Sequence, residues 1–321
     1  MTFSNHNFYV ETSAVNYLAD RFAWNDALAT KGLQNAKGNI WYLSTVTLWE
    51  ILLTSDKQRR ETIIFYCQHL FHEQLMNSPS EFIVNYINAG CPLVEKKYDF
   101  HSKLSLNETW KDICQDKQKT FVYDFDTLKD RMKMMQKLSK QLDKIIHRVV
   151  LDITVSDDEL SLQQFVNYFY GKVKDELKHH DPDYHKVIKI SILFIFYILC
   201  LEADLDNSPQ KKFWKQVGID SSIDRLFYLM SKHKDLVFRG PIYQMAIMAY
   251  HQISLGQKSN RGLFMDCLHS IYITYADIFI TNDEHFKTLK ERDIHPNFRR
   301  LMHISEIEIT TQMKEVYQPE K

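Results

Sequence analysis

Residues 276–283 constrain the possible folds of this chain more than any other segment. Their sequence, Ala-Asp-Ile-Phe-Ile-Thr-Asn-Asp, places the apolar run 278–280 directly before three polar residues. A short run of β-branched and aromatic residues is typical of a parallel strand that is covered on both faces. In open α/β sheets, ligands bind at the carboxyl ends of the strands. The segment therefore predicts a buried strand that presents Thr281, Asn282 and Asp283 at a binding edge.

The composition favours a helix-rich protein around that strand. The 321 residues are enough for two domains, or for one domain with a large insertion. Hydrophobic residues make up 45% of the chain, whereas only 8 Gly and 7 Pro are present, which argues against a turn-rich all-β fold. The net charge of −1 gives no global basic field, so any nucleic-acid contact must come from local patches.

The cysteines and the apolar runs predict the cellular setting. No two of the five cysteines form a CxxC pair, which favours free buried thiols in a reducing compartment over disulfides or a zinc site. The first seven residues have no signal-peptide h-region. The most apolar run, 190–201, has 12 residues and is too short to span a bilayer. We expect a soluble, cytoplasmic protein without a membrane partner.

The first 76 residues have an α/β pattern. Strands are predicted at 7–10 and 39–43, and each is followed by helical spacing. The first helix is expected over 14–24 with Ser13 as its N-cap. The second is expected to open at 44–47 and to run to about residue 71.

Residues 77–234 have a different character and are predicted to form an all-α insertion. The clearest helix is expected over 127–151, where an apolar seam repeats at spacings of three and four. A basic stripe lies opposite that seam. A solvated face is the favoured interpretation of the stripe, and a phosphate track is the functional one. The seam consists of Met135, Leu138, Leu142, Ile145 and Val149, and the stripe of Lys133, Lys137, Lys140, Lys144 and Arg148.

The α/β pattern returns after the insertion. A third strand is predicted at 235–239 and a last one at 301–309, with the 278–280 strand between them. Helices are expected at 242–254, 262–275 and 284–291. The predicted organisation is a core in two parts, 1–76 and 235–321, interrupted by 77–234. The expected fold class is α/β, a parallel sheet flanked by helices.

Four acidic residues occupy comparable places in this pattern. Glu11 and Asp283 end strands, whereas Glu50 and Asp266 lie in the first turns of helices next to strands. Parallel strands align their carboxyl ends at one edge, so these carboxylates would repel one another if unpaired. A divalent cation relieves that repulsion, because carboxylate oxygens are the ligands that Mg²⁺ and Mn²⁺ prefer.

Four segments together resemble the PIN-domain (PIN-like) nuclease family. Residues 8–13, Phe-Tyr-Val-Glu-Thr-Ser, resemble its opening strand followed by Asp-Thr/Ser-Ser. Residues 44–50 resemble its Ser-x-x-Thr-x-x-Glu segment, and 266–269 fit the helix with its third acid. Residues 276–286 resemble its apolar strand followed by Thr-x-Asp and x-x-Phe. The matches cover residues 7–75 and 235–310, about half the chain.

The resemblance implies a PIN-like core and a metal-dependent endoribonuclease. Glu11, Glu50, Asp266 and Asp283 would bind Mg²⁺ or Mn²⁺ and support attack of water on a phosphodiester, leaving a 5′-phosphate and a 3′-hydroxyl. RNA is the implied substrate, with DNA less favoured, and a toxin or defence role is a further implication. Thr12 and Thr281 match positions that orient the acids or contact phosphate, Asn282 lies beside them, and Arg261 is a basic candidate for the same edge.

The chain departs from the family pattern at two places. Glu11 stands where the family normally has Asp, so its carboxylate reaches one methylene further. The insertion is larger than the family core usually carries. Its candidate roles are a lid, a substrate-recognition module and a protein-interaction domain. A catalytically degenerate scaffold whose insertion binds a protein is therefore an alternative function. A DNA nuclease is another, and a homo-oligomer stays open.

The candidate acids also have structural interpretations. Thr47-x-x-Glu50 is itself a capping box. The negative charge of Asp266 near a helix N-terminus would stabilise that helix through its dipole. Asp283 is a candidate N-cap. Glu11 is a candidate surface residue at a strand end, and Asp277 is expected to terminate the preceding helix rather than bind metal.

Overall fold

A computed structural model describes most of the chain, from residue 6 to residue 309 with gaps. The described residues are 6–21, 39–52, 54–71, 74–90, 101–105, 119–120, 123–124, 140–152, 160–201, 209–256 and 263–309. Within these ranges, no helix combines the length and the apolar character that crossing a membrane requires.

The chain divides into two compact units. The first comprises residues 1–78, 100–133 and 272–321, and the second comprises 79–99 and 134–271. Residues 235–271, which the sequence analysis assigns to the core, therefore group with the second unit.

The first unit contains a four-stranded sheet. Its strands are β1 (Asn7–Val10), β2 (Ile40–Tyr42), β7 (Ile278–Thr281) and β8 (Leu301–His303), in the order β2-β1-β7-β8. All three pairings are parallel, and the register places Tyr9 opposite Tyr42 and Phe279. The predicted α/β class with a parallel sheet is confirmed.

Apolar side chains cover both faces of this sheet, as the continuous hydrophobic runs of its strands require. On one face, Phe8, Val10, Ile278 and Ile280 join a buried cluster with side chains from the flanking helices. On the other face, Tyr9 stacks on Tyr272 at 4.7 Å between ring centroids, and Phe279 lies between Tyr9 and Phe286 at 5.0 and 5.2 Å. This burial fixes the register and thereby the positions of the strand ends.

The helices of the first unit follow the predicted order with two differences. The helix expected from residue 44 to about 71 is two helices, because Asp56 accepts a hydrogen bond from the Arg59 amide (3.1 Å) and caps a new one. The first helix begins at Thr12, so Ser13 lies inside its first turn and is not the predicted N-cap. The helices are Thr12–Arg21, Thr45–Leu52, Lys57–Leu70, Glu284–Glu291 and Ile304–Ile309.

The predicted last strand, 301–309, is wrong beyond residue 303. The chain leaves β8 at His303, whose backbone amide donates to Glu306 Oε1 (3.0 Å) while its ring Nδ1 accepts from the Ser305 amide (3.3 Å). These bonds cap the start of helix Ile304–Ile309. Local capping thus overrides the alternating apolar pattern.

The expected all-α character of 77–234 is also wrong. Three strands lie in this range, namely β4 (His101–Ser105), β5 (Lys119–Thr120) and β6 (Tyr123–Asp124). β4 pairs antiparallel with β3 (Gln74–Met76), and β5 pairs antiparallel with β6. Such short strands leave too few residues for the period-two pattern that identifies a strand in a sequence.

The second unit is helical in its described part. The predicted third strand, 235–239, is wrong, because Lys234–Phe238 is a helix. A short apolar run does not distinguish a buried strand from a buried helix. Here the Arg239 amide bonds the Asp235 carbonyl (3.1 Å), and their side chains form an i,i+4 ion pair at 2.7 Å, both of which favour a helical turn.

Helix Pro182–Ile195 packs between neighbouring helices of the second unit and forms much of its core. The helical character predicted for 242–254 is confirmed, and so is that of the described part of 127–151, residues 140–151. The rest of 127–151, with Lys133, Met135, Lys137 and Leu138, lies outside the described residues. The other main helices are Pro79–Asn88, Leu160–Val173, Pro209–Val217, Ser222–Lys232, Pro241–Ser254 and Leu263–Ser270.

Candidate metal centre at the carboxyl edge of the sheet

Glu11 follows β1 directly, and its carboxylate is held in place by two hydroxyl groups. The side chain is buried, with 3% of its surface exposed. Its Oε2 accepts hydrogen bonds from Ser13 Oγ (2.6 Å) and from Thr281 Oγ1 (2.5 Å). The Glu11 amide extends the sheet by donating to the Ile280 carbonyl (3.0 Å). Glu11 is therefore a fixed part of the sheet edge and not the surface residue considered above.

The same two hydroxyls also hold the backbone that leads to Asp283. Thr281 Oγ1 accepts from the Asp283 amide, and Ser13 Oγ accepts from the Asn282 amide, both at 3.0 Å. Asp283 is the N-cap residue of helix Glu284–Glu291, yet its side chain makes no capping hydrogen bond. The Asp283 carboxylate is thus half-buried at this edge without the capping role considered above.

Glu50 reaches this edge from the helix that follows β2. Its Oε2 accepts a hydrogen bond from Thr12 Oγ1, the hydroxyl next to Glu11 in the sequence. Thr47 does not cap this helix, because its amide donates to Ser44 Oγ (3.2 Å) and Ser44 stands before the first turn. The Thr47-x-x-Glu50 capping box is therefore wrong, and the Glu50 side chain turns towards the end of β1 instead.

His285 adds an imidazole to the edge. A ring nitrogen of His285 and a carboxylate oxygen of Asp283 lie within 4.8 Å of each other. Burial lowers the pKa of His285, and the neighbouring Asp283 charge opposes that shift. The lowered pKa favours the neutral ring, the form that can donate a nitrogen lone pair to a cation.

A hydroxyl cluster lies behind the edge. The Tyr9 hydroxyl lies 2.9 Å from Ser44 Oγ and 3.3 Å from Thr47 Oγ1, and all three residues are buried. Burial raises the pKa of Tyr9 well above its usual range, so the phenol stays protonated. This cluster fixes the start of helix Thr45–Leu52 and hence the direction in which that helix presents Glu50.

Asp277 lies at the opposite end of β7. Its Oδ2 accepts from the Asn7 amide (2.9 Å), and its own amide donates to the Asn7 carbonyl (2.9 Å). These two bonds join the amino ends of β1 and β7. Asp277 is thus a structural residue at the amino end of the sheet.

Two predicted residues are not among the described residues of the first unit. Asp266 belongs to the second unit and stands in the first turn of helix Leu263–Ser270, so it is not among the residues that the first unit brings together. Arg261 lies outside the described residues. Both assignments stay predictions.

Two further polar groups lie at this edge, and the sequence motifs do not assign them a functional role. The sequence predicts Ser13 as a helix cap, whereas in the structure it contacts the ends of both β1 and β7. His285 lies inside the 276–286 motif. Both residues lie within two positions of a predicted metal-binding acid, and this closeness in sequence is the signal that points to them.

The acids and the histidine of the first unit are donors that suit a hard divalent cation. A carboxylate oxygen of Asp283 and a ring nitrogen of His285 lie within 4.8 Å of each other. The carboxylates of Glu11 and Glu50 lie at the same edge and accept hydrogen bonds from hydroxyl groups. Oxygen-rich sets of this kind suit Mg²⁺ and Mn²⁺, and an added imidazole is compatible with Mn²⁺.

Comparison of the chain with models of protein families, with curated proteins and with solved structures finds no match. The resemblance to PIN-like nucleases therefore rests on the sequence motifs, and what it implies is a proposal.

Proposed function

We propose that the chain is a metal-dependent endoribonuclease with a PIN-like core. The observation that carries the proposal is the arrangement of acids and hydroxyls at the carboxyl edge of the parallel sheet. Ser13 and Thr281 hold Glu11, Thr12 holds Glu50, and Asp283 follows β7 without a capping bond. Metal sites in proteins use such outer partners to fix the direction of their ligands.

Under this proposal, Glu11, Glu50 and Asp283 hold Mg²⁺ or Mn²⁺, with Asp266 as the fourth acid that the resemblance implies. When bound, the cation supplies a Lewis acid that favours ionisation of water and offsets phosphate charge. Thr12, Ser13 and Thr281 keep the carboxylates in one orientation, so that little reorganisation is needed when substrate binds.

The proposed reaction is hydrolysis of a phosphodiester. The oxygen of water forms a bond to phosphorus, and the bond from phosphorus to the 3′-oxygen breaks. One proton of water passes to solvent and the 3′-oxygen gains one, which leaves a 5′-phosphate and a 3′-hydroxyl. Single-stranded or structured RNA is the substrate that the family resemblance favours, and Thr12, Thr281, Asn282 and Arg261 are its proposed contacts.

A second candidate is a degenerate PIN-like scaffold that acts by binding a protein. The observation that favours it is the saturation of Glu11 Oε2, which already accepts two hydroxyl hydrogen bonds. A carboxylate oxygen satisfied in this way has less capacity left for a cation. Glu also stands where the family normally has Asp.

Cleavage assays separate the two candidates. The full chain is incubated with Mn²⁺ and end-labelled single-stranded RNA, hairpin RNA and DNA of the same sequence. We expect RNA cleavage that leaves 5′-phosphates, is abolished by EDTA and falls at least about 100-fold in Asp283→Asn.

Asp56→Asn is the matched control, because it makes the same change in the first unit and Asn caps a helix as well as Asp does. Intact RNA with the wild-type chain, or equal cleavage by wild type and Asp283→Asn, would overturn the nuclease proposal and favour the scaffold. Cleavage confined to DNA would assign the site to a DNA nuclease.

A further inference from the structure

Asp143 of the second unit is a buried carboxylate, and one of its two oxygens has no hydrogen-bond partner among the described residues. It lies in the helical residues 140–151 with 3% of its surface exposed. Its Oδ1 is inaccessible to solvent and accepts no hydrogen bond within the described part of the chain. Burying a charged group without a partner is costly, so such a group is expected to have a bound proton, a water or an ion.

His147 has the same property one turn further along the helix. Its Nε2 is also inaccessible and has no hydrogen-bond partner among the described residues. Residues four apart share a helix face, with Cβ atoms about 5–6 Å apart. Asp143, which is buried, and His147, which is half-buried, therefore share a helix face, and each has one inaccessible polar atom without a partner in the described part of the chain.

Within the described residues, Asp143 forms no ion pair with a basic side chain. The nearby Cys267 thiol has a raised pKa, caused first by its burial and then by the charges of Asp266 and Asp143. The thiol therefore stays neutral, and Asp266 adds a second negative charge around it. Lys140 and Lys144, the lysines on the same helix, are solvent-exposed and make no ion pair with Asp143 within the described ranges.

We propose that Asp143 and His147 bind a divalent cation of the Mn²⁺ class in the second unit. A carboxylate and an imidazole are suitable ligands for such a cation, and water completes the coordination where the protein supplies few ligands. Both ligands belong to the second unit, and the proposal does not depend on the proposed nuclease activity. It gives the helical unit a ligand-binding role of its own.

The test is Mn²⁺ binding, measured by electron paramagnetic resonance on the full chain with Glu50→Gln, Asp266→Asn and Asp283→Asn as the background. These changes weaken the sheet-edge site, so the remaining bound Mn²⁺ reports on the second unit. We expect binding to persist in this background and to weaken at least about 10-fold on adding either Asp143→Asn or His147→Gln. Asp220→Asn, an exposed acid of the same unit, is the matched control and is expected to leave binding unchanged.

Several results would overturn the inference. A background protein that binds no Mn²⁺, or equal binding with and without Asp143→Asn, would leave a proton or a water as the partner of Asp143. If Asp143→Asn does not fold, His147→Gln decides. RNA cleavage is not a readout here, so failure of the nuclease proposal and failure of this one are distinguishable.

Discussion

Glu11 in the first unit and Asp143 in the second are equally buried carboxylates with opposite surroundings. Each exposes 3% of its surface. Glu11 accepts hydrogen bonds from Ser13 and Thr281, whereas Asp143 Oδ1 accepts none in the described residues. Burial alone therefore does not describe a carboxylate site. The nearby hydrogen-bond donors decide whether the carboxylate is held in one orientation or keeps an oxygen available to a bound ligand.

Shortening the Glu11 side chain tests whether its hydroxyl partners position this carboxylate, and it has the largest expected effect. Glu11→Asp introduces the acid normal for the PIN-like family but withdraws the carboxylate by one methylene from both hydroxyls. We expect RNA cleavage with Mn²⁺ to fall about 10–100-fold, the usual effect of losing outer-shell support for a metal ligand. Cleavage rates at saturating Mn²⁺ measure it. Equal or faster cleavage by Glu11→Asp would show that Ser13 and Thr281 do not position this acid.

Removing one hydroxyl tests the same arrangement through stability. Ser13→Ala takes away one donor to Glu11 and the acceptor for the Asn282 amide. Leaving buried polar groups short of a partner costs about 1–3 kcal/mol of unfolding free energy. Urea denaturation measures it, with Ser231→Ala as control, because Ser231 is exposed and bonds only a helix carbonyl. A change below about 0.5 kcal/mol, as expected for the control, would contradict a structural role for Ser13.

Two histidines extend the comparison to pH. His295 in the first unit accepts a hydrogen bond at Nδ1 from the Asn297 amide (3.3 Å), whereas His147 Nε2 has no partner among the described residues. Burial lowers the pKa of His295 to about 4. Between the ordinary value near 6.5 and that value, the unfolded chain binds a proton that the folded chain does not, so stability falls as pH falls.

We expect this histidine to remove about 1–2 kcal/mol of unfolding free energy between pH 7 and pH 5. In His295→Asn the loss over that range should be smaller by this amount, because Asn does not titrate there. Denaturation curves at both pH values, with the exposed His179→Asn as the control, measure the difference. Parallel losses in wild type and His295→Asn would contradict the assignment.

The sequence predicted the sheet edge better than the polar network around it. Residues 8–10 and 278–280 are continuously apolar and are followed within three residues by an acid, so the position and parallel pairing of their strands were accessible from the residues. The role of Ser13 was not, because it depends on the register that brings Thr281 opposite the end of β1. Register is set by burial of the whole sheet, which no local motif contains.

The errors at 235–239 and 301–309 have a common physical origin. Residues 235–239 centre on a short apolar run and 301–309 on an alternating apolar pattern, and in both segments a local polar interaction selects a helix instead. The deciding interactions are local polar ones, namely the Asp235–Arg239 ion pair and the bond from the His303 amide to Glu306. Asp143 was missed for a different reason: its polar side chain lies beside the apolar seam of its helix, where sequence spacing gives no sign that it is buried.

Replacing each of the two carboxylates by leucine, in separate variants, tests the comparison directly. Asp143→Leu has the smallest expected effect. In EDTA, it removes a buried polar group that has no partner, and we expect unfolding free energy to rise by about 1 kcal/mol, because apolar replacement of unsatisfied polar groups is often stabilising. Glu11→Leu should instead destabilise, since Ser13 and Thr281 lose their shared acceptor. With Mn²⁺ present, the advantage of Asp143→Leu should vanish, because only the wild-type chain gains stability from the bound cation. Equal destabilisation by both changes in EDTA would mean that Asp143 is as well satisfied as Glu11, and the contrast between the two units would be lost.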